Sequence, residues 1–434
     1  MRRALFQLTV LLSAPVTAWA QEQEKQPPPE FSAGYQPPTI TIPGPRAELF
    51  SYLDIAILFG VLCLASYLVL KKRSRSDLRV LVVFSLLYFG FYRYGCVCAV
   101  GSIQNVTFAI SNHNYALPLV VGAFFLLPLL FALFFGRVFC AAACPLGAIQ
   151  DVVAQRPRRV PLWLEHSLGL IPYLYLGAAI LFAATGSAFL ICEYDPFISL
   201  FRLGGKVEIV TFGAVLLLLG IVVGRPYCRF LCPYGVLLRW LAPFARWRVT
   251  ITPAECVQCH LCADACPFGA INPPTPAESR SRRSEERKRL AVLILLLPLL
   301  ALGTGWLGYR SSPLLARMNP TVSLAERVWL EERGRVSGTT ETSAAFRNLG
   351  QPNEWLYQQA AGIRKQFDTG AWLLGAWVGL VIGWKLIALS LRRQRTDYEA
   401  DPAACLACAR CYQSCPVEHL RLPPLAGEFY EGPA

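Results

Sequence analysis

The sequence predicts an all-α polytopic membrane protein of about seven transmembrane helices, with a cysteine-built module on one side assembled from two separated segments. Three observations carry this. Of the 434 residues, 54% are hydrophobic and only 16% are charged, against about a quarter charged in an ordinary soluble domain. Several apolar runs exceed about eighteen residues, enough to cross a hydrocarbon core about 30 Å thick. The 16 cysteines fall in repeated short spacings, and a disulfide scaffold belongs to small secreted domains instead.

The N-terminal residues 1–20 read as a signal peptide. Arg2 and Arg3 form a basic start, an apolar stretch runs from Ala4 to Val16, and Ala18-Trp19-Ala20 makes a small-x-small cleavage site. Residues 21–51 are polar and proline-rich, cannot bury a core, and are expected to form a disordered periplasmic arm. Residues 52–249 hold five helices, expected near 52–70, 79–94, 116–136, 162–184 and 207–223. Residues 250–288 form a first cysteine segment with a basic linker. A sixth helix follows at 289–308, a periplasmic loop at 309–370, a seventh helix at 371–391, and a second cysteine segment at 392–434.

Charge supports this path. Lys71-Lys72-Arg73-Ser74-Arg75, then Arg156, Arg158 and Arg159, then Arg280, Arg282 and Arg283, and finally Arg392-Arg393-Gln394-Arg395 all fall on alternate, inside-facing loops. By the positive-inside rule the N-terminus lies outside after signal cleavage, and the C-terminus and both cysteine segments are cytoplasmic, in a bacterial inner membrane. The net charge of +13 is thereby accounted for by orientation in the lipid bilayer. No basic domain suited to gripping nucleic acid is apparent.

The chemistry lies in Cys256-x-x-Cys259-x-x-Cys262-x-x-x-Cys266-Pro267, repeated as Cys405-x-x-Cys408-x-x-Cys411-x-x-x-Cys415-Pro416. This is bacterial ferredoxin spacing, in which three thiolates of one run reach three irons of a [4Fe-4S] cubane and the fourth ligand comes from the other run. The expected sites are Cys256, Cys259, Cys262 and Cys415 for one cluster, and Cys405, Cys408, Cys411 and Cys266 for the other. Zinc sites rarely use this spacing. Cys256-Val257-Gln258-Cys259-His260 also matches a c-type haem attachment signature, but haem would consume two cluster ligands. His113, His166 and His419 form no evident facing pair for a b-type haem.

A second repeat marks two helix ends. Gly136-Arg137-Val138-Phe139-Cys140 resembles Gly224-Arg225-Pro226-Tyr227-Cys228, and each leads to a second cysteine and proline, Cys144-Pro145 and Cys232-Pro233. Pro-x-Gly recurs at Pro145-Leu146-Gly147, Pro233-Tyr234-Gly235 and Pro267-Phe268-Gly269. Matched positions in repeated helix pairs often carry the chemistry. Cys140, Cys144, Cys228 and Cys232 are expected at the inside membrane surface as a third redox or metal site: a third cluster, a metal, or a redox-active disulfide. Cys96, Cys98 and Cys192 are expected on the outside face, as a disulfide or a small metal site, and Cys63 as a packing residue. In the last outside loop, Ser337-Gly338-Thr339-Thr340 resembles the signature at which flavin mononucleotide is joined to threonine, with Thr340 as the attachment residue. The plain alternative is a polar turn.

Together, the two Cys-x-x-x-Cys-Pro pairs followed by two ferredoxin runs resemble the NosR/NapH polyferredoxins, over roughly residues 52–272 and 371–416. The resemblance implies cluster-based electron transfer in the membrane, with quinol and redox partner proteins as neighbours. NosR-like members carry an outside flavin domain ahead of the helices, where this chain has a short arm. NapH-like members lack the large loop between the two ferredoxin runs. The expected function is an electron-transfer subunit of a larger oxidoreductase system, with redox sensing or maturation of a periplasmic metalloenzyme as the alternative. One difficulty stands: clusters confined to one face do not span about 30 Å of hydrocarbon, and the sequence reveals no clear midway carrier.

Overall fold

The computed structural model describes residues 48–95, 98–154, 157–158, 160–251, 256–275, 280–391 and 395–421. The expected signal peptide, most of the arm (residues 21–47), Cys96, Arg156, Arg159, Arg392 and Arg393 lie outside these residues.

Four helices among the described residues are long and apolar enough to cross a membrane: Leu49–Lys72, Leu162–Ala184, Arg287–Ala316 and Asn353–Ser390. Three other expected spans take a different form. Leu119–Phe135 has 17 residues and Val207–Val222 has 16. The expected span near 79–94 is an 11-residue helix, Arg75–Ser85, continued by a π-helical stretch, Leu86–Tyr92.

The two shorter apolar helices end where the chain folds back into the bundle. Leu119–Phe135 stops at Gly136, whose φ of +72° suits glycine. The following turn, Phe139–Ala143, is buried throughout and packs on Glu48–Tyr67 and Arg75–Ser85. Cys144 then shares a small cavity with Leu58, Phe89 and Phe124. Phe124 stands eleven residues before Phe135, or about 16 Å along the helix. The Cys-x-x-x-Cys segment therefore re-enters the bundle. Its counterpart does the same after Val207–Val222: the Tyr234 hydroxyl donates to the carbonyl of Phe125 at 2.7 Å. The helix Ala99–Ser111, expected to be external loop, also packs inward, with Ala99 to Gln104 buried against Leu119–Phe135 and Ile171–Ala184.

The long helices Arg280–Ala316 and Asn353–Ser390 form an antiparallel hairpin closed on glycine. A side chain at Gly375 would place its Cβ 2.2 Å from the Thr304 carbonyl oxygen, and one at Gly379 would come within 2.2 Å of the Thr304 hydroxyl. Small residues permit this approach of two backbones. Gly375→Leu is expected to destabilise the protein by about 3 kcal/mol through overpacking, read as a lowered midpoint of thermal unfolding in detergent.

The connecting segment 309–370, in which Leu324–Glu332 has helical apolar spacing, contains two short helices. Pro320–Glu332 is capped by Asn319 and Glu341–Asn348 by Thr340. Their apolar faces bury Val322, Val328 and Phe346 against Phe182 and Phe367. At the other end of the hairpin, the two cysteine segments meet through a two-stranded antiparallel pairing, Ile271 opposite Ala400 and Asn272 opposite Glu399.

Candidate metal centres

The ferredoxin-type runs lie far apart in sequence, yet the short pairing above brings them side by side. Cys256, Cys259, Cys262 and Cys415 line one enclosed cavity. Cys266, Cys405, Cys408 and Cys411 line a second. Each set therefore draws three cysteines from one run and one from the other. The two loops share an unusual backbone. Gln258 and His260 have φ of +53° and +65°, and the repeat-equivalent Ala407 and Ala409 have +52° and +60°. Non-glycine residues held left-handed cost free energy, and both copies hold the same two. In the second loop this turns the Ala407 N–H onto the Cys405 sulfur at 3.4 Å.

The donor sets fit cubanes. Four thiolates on one zinc ion, at about 2.3 Å each, would stand about 3.8 Å apart. Among the described residues no group of three or more His, Cys, Asp or Glu is spaced to hold a single ion, whereas a cubane takes one thiolate per iron at wider separation. Burial pushes the Cys405 thiol up to about 12, and a nearby positive charge would be needed to favour its thiolate. His260, the residue of the haem-like signature, instead hydrogen-bonds the Tyr398 hydroxyl beside the first site.

The second repeat forms a third convergence. A Cβ built at Gly147 would stand 3.7 Å from the Cys228 sulfur, and one at Gly235 3.7 Å from the Cys232 Cβ, so the two hairpins meet at their cysteines. Each of Cys140, Cys144, Cys228 and Cys232 is buried. The back-folding of both hairpins buries them among the helices of the bundle. The recurring Pro-x-Gly is explained here by close approach. A Cβ at Gly147 would meet the Cys140 carbonyl at 3.3 Å and the Arg225 guanidinium at 3.4 Å, and one at Gly235 would meet Arg137 and the Cys228 carbonyl, both at 3.5 Å.

Cys98 was expected on the face opposite these cysteines, but it shares a cavity with Cys144. Cys192 is exposed, with its sulfur 3.1 Å from where a Gly101 side chain would begin. Gln104 fixes that approach by accepting the Ile191 and Cys192 N–H groups at 2.9 and 3.3 Å. Cys63 is exposed on the first long helix, where it borders a lateral cleft.

A set of buried cations joins the ferredoxin-type module to the bundle, and the sequence reading did not single them out. Arg75 donates to the Cys408 carbonyl at 3.0 Å, Arg137 to the Ala403 carbonyl at 3.1 Å, and Arg229 to the Pro267 and Phe268 carbonyls, both at 3.2 Å. Asp151 binds Arg75 at 2.5 Å, and Arg225 and Arg410 both at 3.4 Å. Arg225 also donates to the Cys140 and Ala141 carbonyls. A continuous chain of polar contacts thus runs from Cys408 through Arg75, Asp151 and Arg225 to Cys140. The available signal was the Gly-Arg dipeptide that opens both copies of the repeat.

Thr340 is the N-cap of Glu341–Asn348. Its hydroxyl accepts the Ser343 N–H at 3.3 Å, and the Ser343 hydroxyl accepts the Thr340 N–H at 2.9 Å. Thr340→Ala should cost about 1 kcal/mol of stability through loss of this cap, measurable by denaturant unfolding.

These sites define a membrane-bound iron–sulfur protein. Models described as "4Fe-4S binding domain" match residues 117–163 and 207–252, which contain the four internal cysteines, and residues 249–272, which contain the first ferredoxin run. The regulatory protein NosR of Pseudomonas aeruginosa is 29% identical over 238 residues, covering 50% of this chain and 33% of that protein. Protein NirI of Paracoccus denitrificans is 32% identical over 154 residues, covering 32% and 23%. The methylamine utilization ferredoxin-type protein MauN of the same organism is 29% identical over 169 residues, covering 37% and 58%. The chain spans between about a quarter and three fifths of the length of these relatives. No solved structure matches. The chain is similar to these NosR, NirI and MauN proteins and carries segments that match 4Fe-4S binding domain models.

Proposed function

We propose that this protein is a membrane-bound iron–sulfur electron-transfer subunit with three centres: the two ferredoxin-type sites and the four-cysteine site inside the bundle. The observation that supports this reading is the back-folding of both Cys-x-x-x-Cys hairpins, which leaves all four cysteines buried among the helices. Bound clusters would supply one-electron redox chemistry. The chain's own residues supply everything else. Cysteine thiolates hold the irons, the Arg75–Asp151–Arg225 contacts keep the second ferredoxin-type site and the internal site in fixed register, and the apolar bundle excludes water. The internal site is then the midway station that the expected topology lacked.

The seven-span, cytoplasm-facing topology in an inner membrane remains part of this reading, with the shorter helices completing their crossings through the re-entrant segments. Donor and acceptor are redox partners on the two sides of the membrane. Quinol is a fitting donor, because a cleft of about 1150 Å³, walled by Phe59, Phe131 and Trp247, ends at Thr250 and Tyr412, next to the cluster ligand Cys411. A sensing or maturation role is the second reading, favoured by the regulatory name of the NosR relative.

The test is anaerobic purification, iron and sulfide counts per chain, and electron paramagnetic resonance after stepwise reduction. About twelve irons and three reducible centres are expected. Zinc in place of iron would overturn the electron-transfer reading. Fully reducible centres that exchange no electrons with quinol or with added redox proteins would favour sensing.

A further inference from the structure

The four-cysteine site is built by two separate hairpins, so something must hold one to the other. Gln150 does so. It lies on Pro145–Val153, the helix that follows Cys144, and is wholly buried. Its carboxamide oxygen accepts the backbone N–H of Tyr227, in the second hairpin, at 3.0 Å. Its carboxamide nitrogen donates to the sulfur of Cys228 at 3.4 Å, and to the Leu146 carbonyl of its own helix at 2.6 Å. Both ends of one side chain are therefore committed, and two of the three bonds cross between the hairpins.

The reverse clamp is Arg225, at the start of the second hairpin, which donates to the Cys140 and Ala141 carbonyls of the first. The two clamps differ in chemistry. Arg225 hydrogen-bonds backbone carbonyls, and its charge reaches the Cys140 and Cys228 sulfurs without a hydrogen bond to them. Arg137 approaches the Cys140 sulfur only at 3.9 Å, the outer edge of an N–H···S contact. Cys232 is served by a main-chain donor, the Gly235 N–H, which substitution cannot remove. Gln150 thus makes the shortest side-chain N–H···S contact that the described residues offer to these four cysteines.

We propose that Gln150 is the positioning residue that sets the reduction potential of the four-cysteine centre. The inference rests on the reading of that site as an iron–sulfur centre. An N–H···S bond withdraws charge from a ligand sulfur and stabilises the more electron-rich, reduced state. The effect is strengthened inside an apolar bundle, where little water competes. The same bond also fixes the rotamer of Cys228, because the amide that donates to its sulfur is pinned at its other end to the adjacent Tyr227 N–H. Gln150 therefore couples assembly of the centre to its potential, and the ferredoxin-type sites, with their own loops, are unaffected by it.

The test is a redox titration of the purified, anaerobic, full-length protein, followed by electron paramagnetic resonance, for wild type and Gln150→Met. Methionine keeps the length of the side chain and lacks the donor. The expected result is unchanged iron, one centre shifted to more negative potential, and two centres unmoved. Unchanged iron with no shift would overturn the proposal, and so would a shift shared equally by all three centres. A wild type with about eight irons and only two reducible centres would overturn the three-centre reading itself, a separate failure. If the variant loses iron, the wild type still decides. With ¹⁵N in glutamine side-chain amides, pulsed resonance of the internal centre should show a nitrogen coupling to the cluster, and its absence would overturn the proposal.

Discussion

Cys228→Ser is expected to remove one iron–sulfur centre and leave two, lowering iron from about twelve to about eight per chain. Cys144→Ser should do the same. Both residues belong to the internal set, and neither lies on the ferredoxin-type loops, whose two cavities are each lined by their own four cysteines. The resonance signals of the ferredoxin pair should therefore persist in both variants. Electron flow across reconstituted vesicles should fall by orders of magnitude, since removing the midway station leaves most of a roughly 30 Å barrier unbridged. Cys266→Ser is the informative contrast. It should disturb the cluster held by the 405–411 run rather than the one held by its own run, because Cys266 lines the cavity of Cys405, Cys408 and Cys411. A cluster lost from the 256–262 run instead would contradict the crossed assignment.

Asp151→Ala is expected to destabilise the protein by about 3–5 kcal/mol, the usual consequence of removing one member of a buried ion cluster. The carboxylate is 8% exposed and faces Arg75, Arg225 and Arg410. Its removal leaves Arg225, itself fully buried, without the counter-charge that balances it. Burial alone would raise the Asp151 pKa, but the charges of Arg225 and Arg75 outweigh it and hold the carboxyl well below the usual carboxylate range. The sign of the pH dependence follows. A depressed folded-state value gives a contribution fully present above the unfolded value, about 3.9, and lost as pH falls from there toward the folded value. Wild type should thus lose stability in acid more steeply than Asp151→Ala, as read from detergent-solubilised unfolding midpoints between neutral pH and about pH 3. Because the same contacts join Cys408 to Cys140, the variant should also loosen the ferredoxin-type module from the bundle, seen as faster amide exchange in residues 399–411.

Much of this was legible beforehand. Ligand spacing is a local property, so the ferredoxin runs could be read from residue order, and the two cavities group Cys415 and Cys266 each with the opposite run. The repeat at Gly136–Cys144 and Gly224–Cys232 was equally visible. Its burial among the helices was not, because hydropathy marks where an apolar run ends and says nothing about whether the next turn folds back on the bundle. The same blindness put Cys98 on the far face from Cys144. Within the 309–370 segment the apolar spacing at Leu324–Glu332 did read as helical, and it falls inside the helix Pro320–Glu332.

Sequence alone determined the class of the molecule. Apolar run lengths set by bilayer thickness require a membrane protein, and thiolate spacings set by cluster geometry require iron–sulfur sites. Tertiary structure alone decided how those sites relate. Gln150, Asp151 and Arg75 carry no spacing signature, because their partners lie tens to hundreds of residues away, and the Gly-Arg dipeptide marks Arg225 without revealing its partners. Their roles arise only when back-folded hairpins bring buried charges and sulfurs within hydrogen-bond reach, where the apolar surroundings make each unpaired group costly.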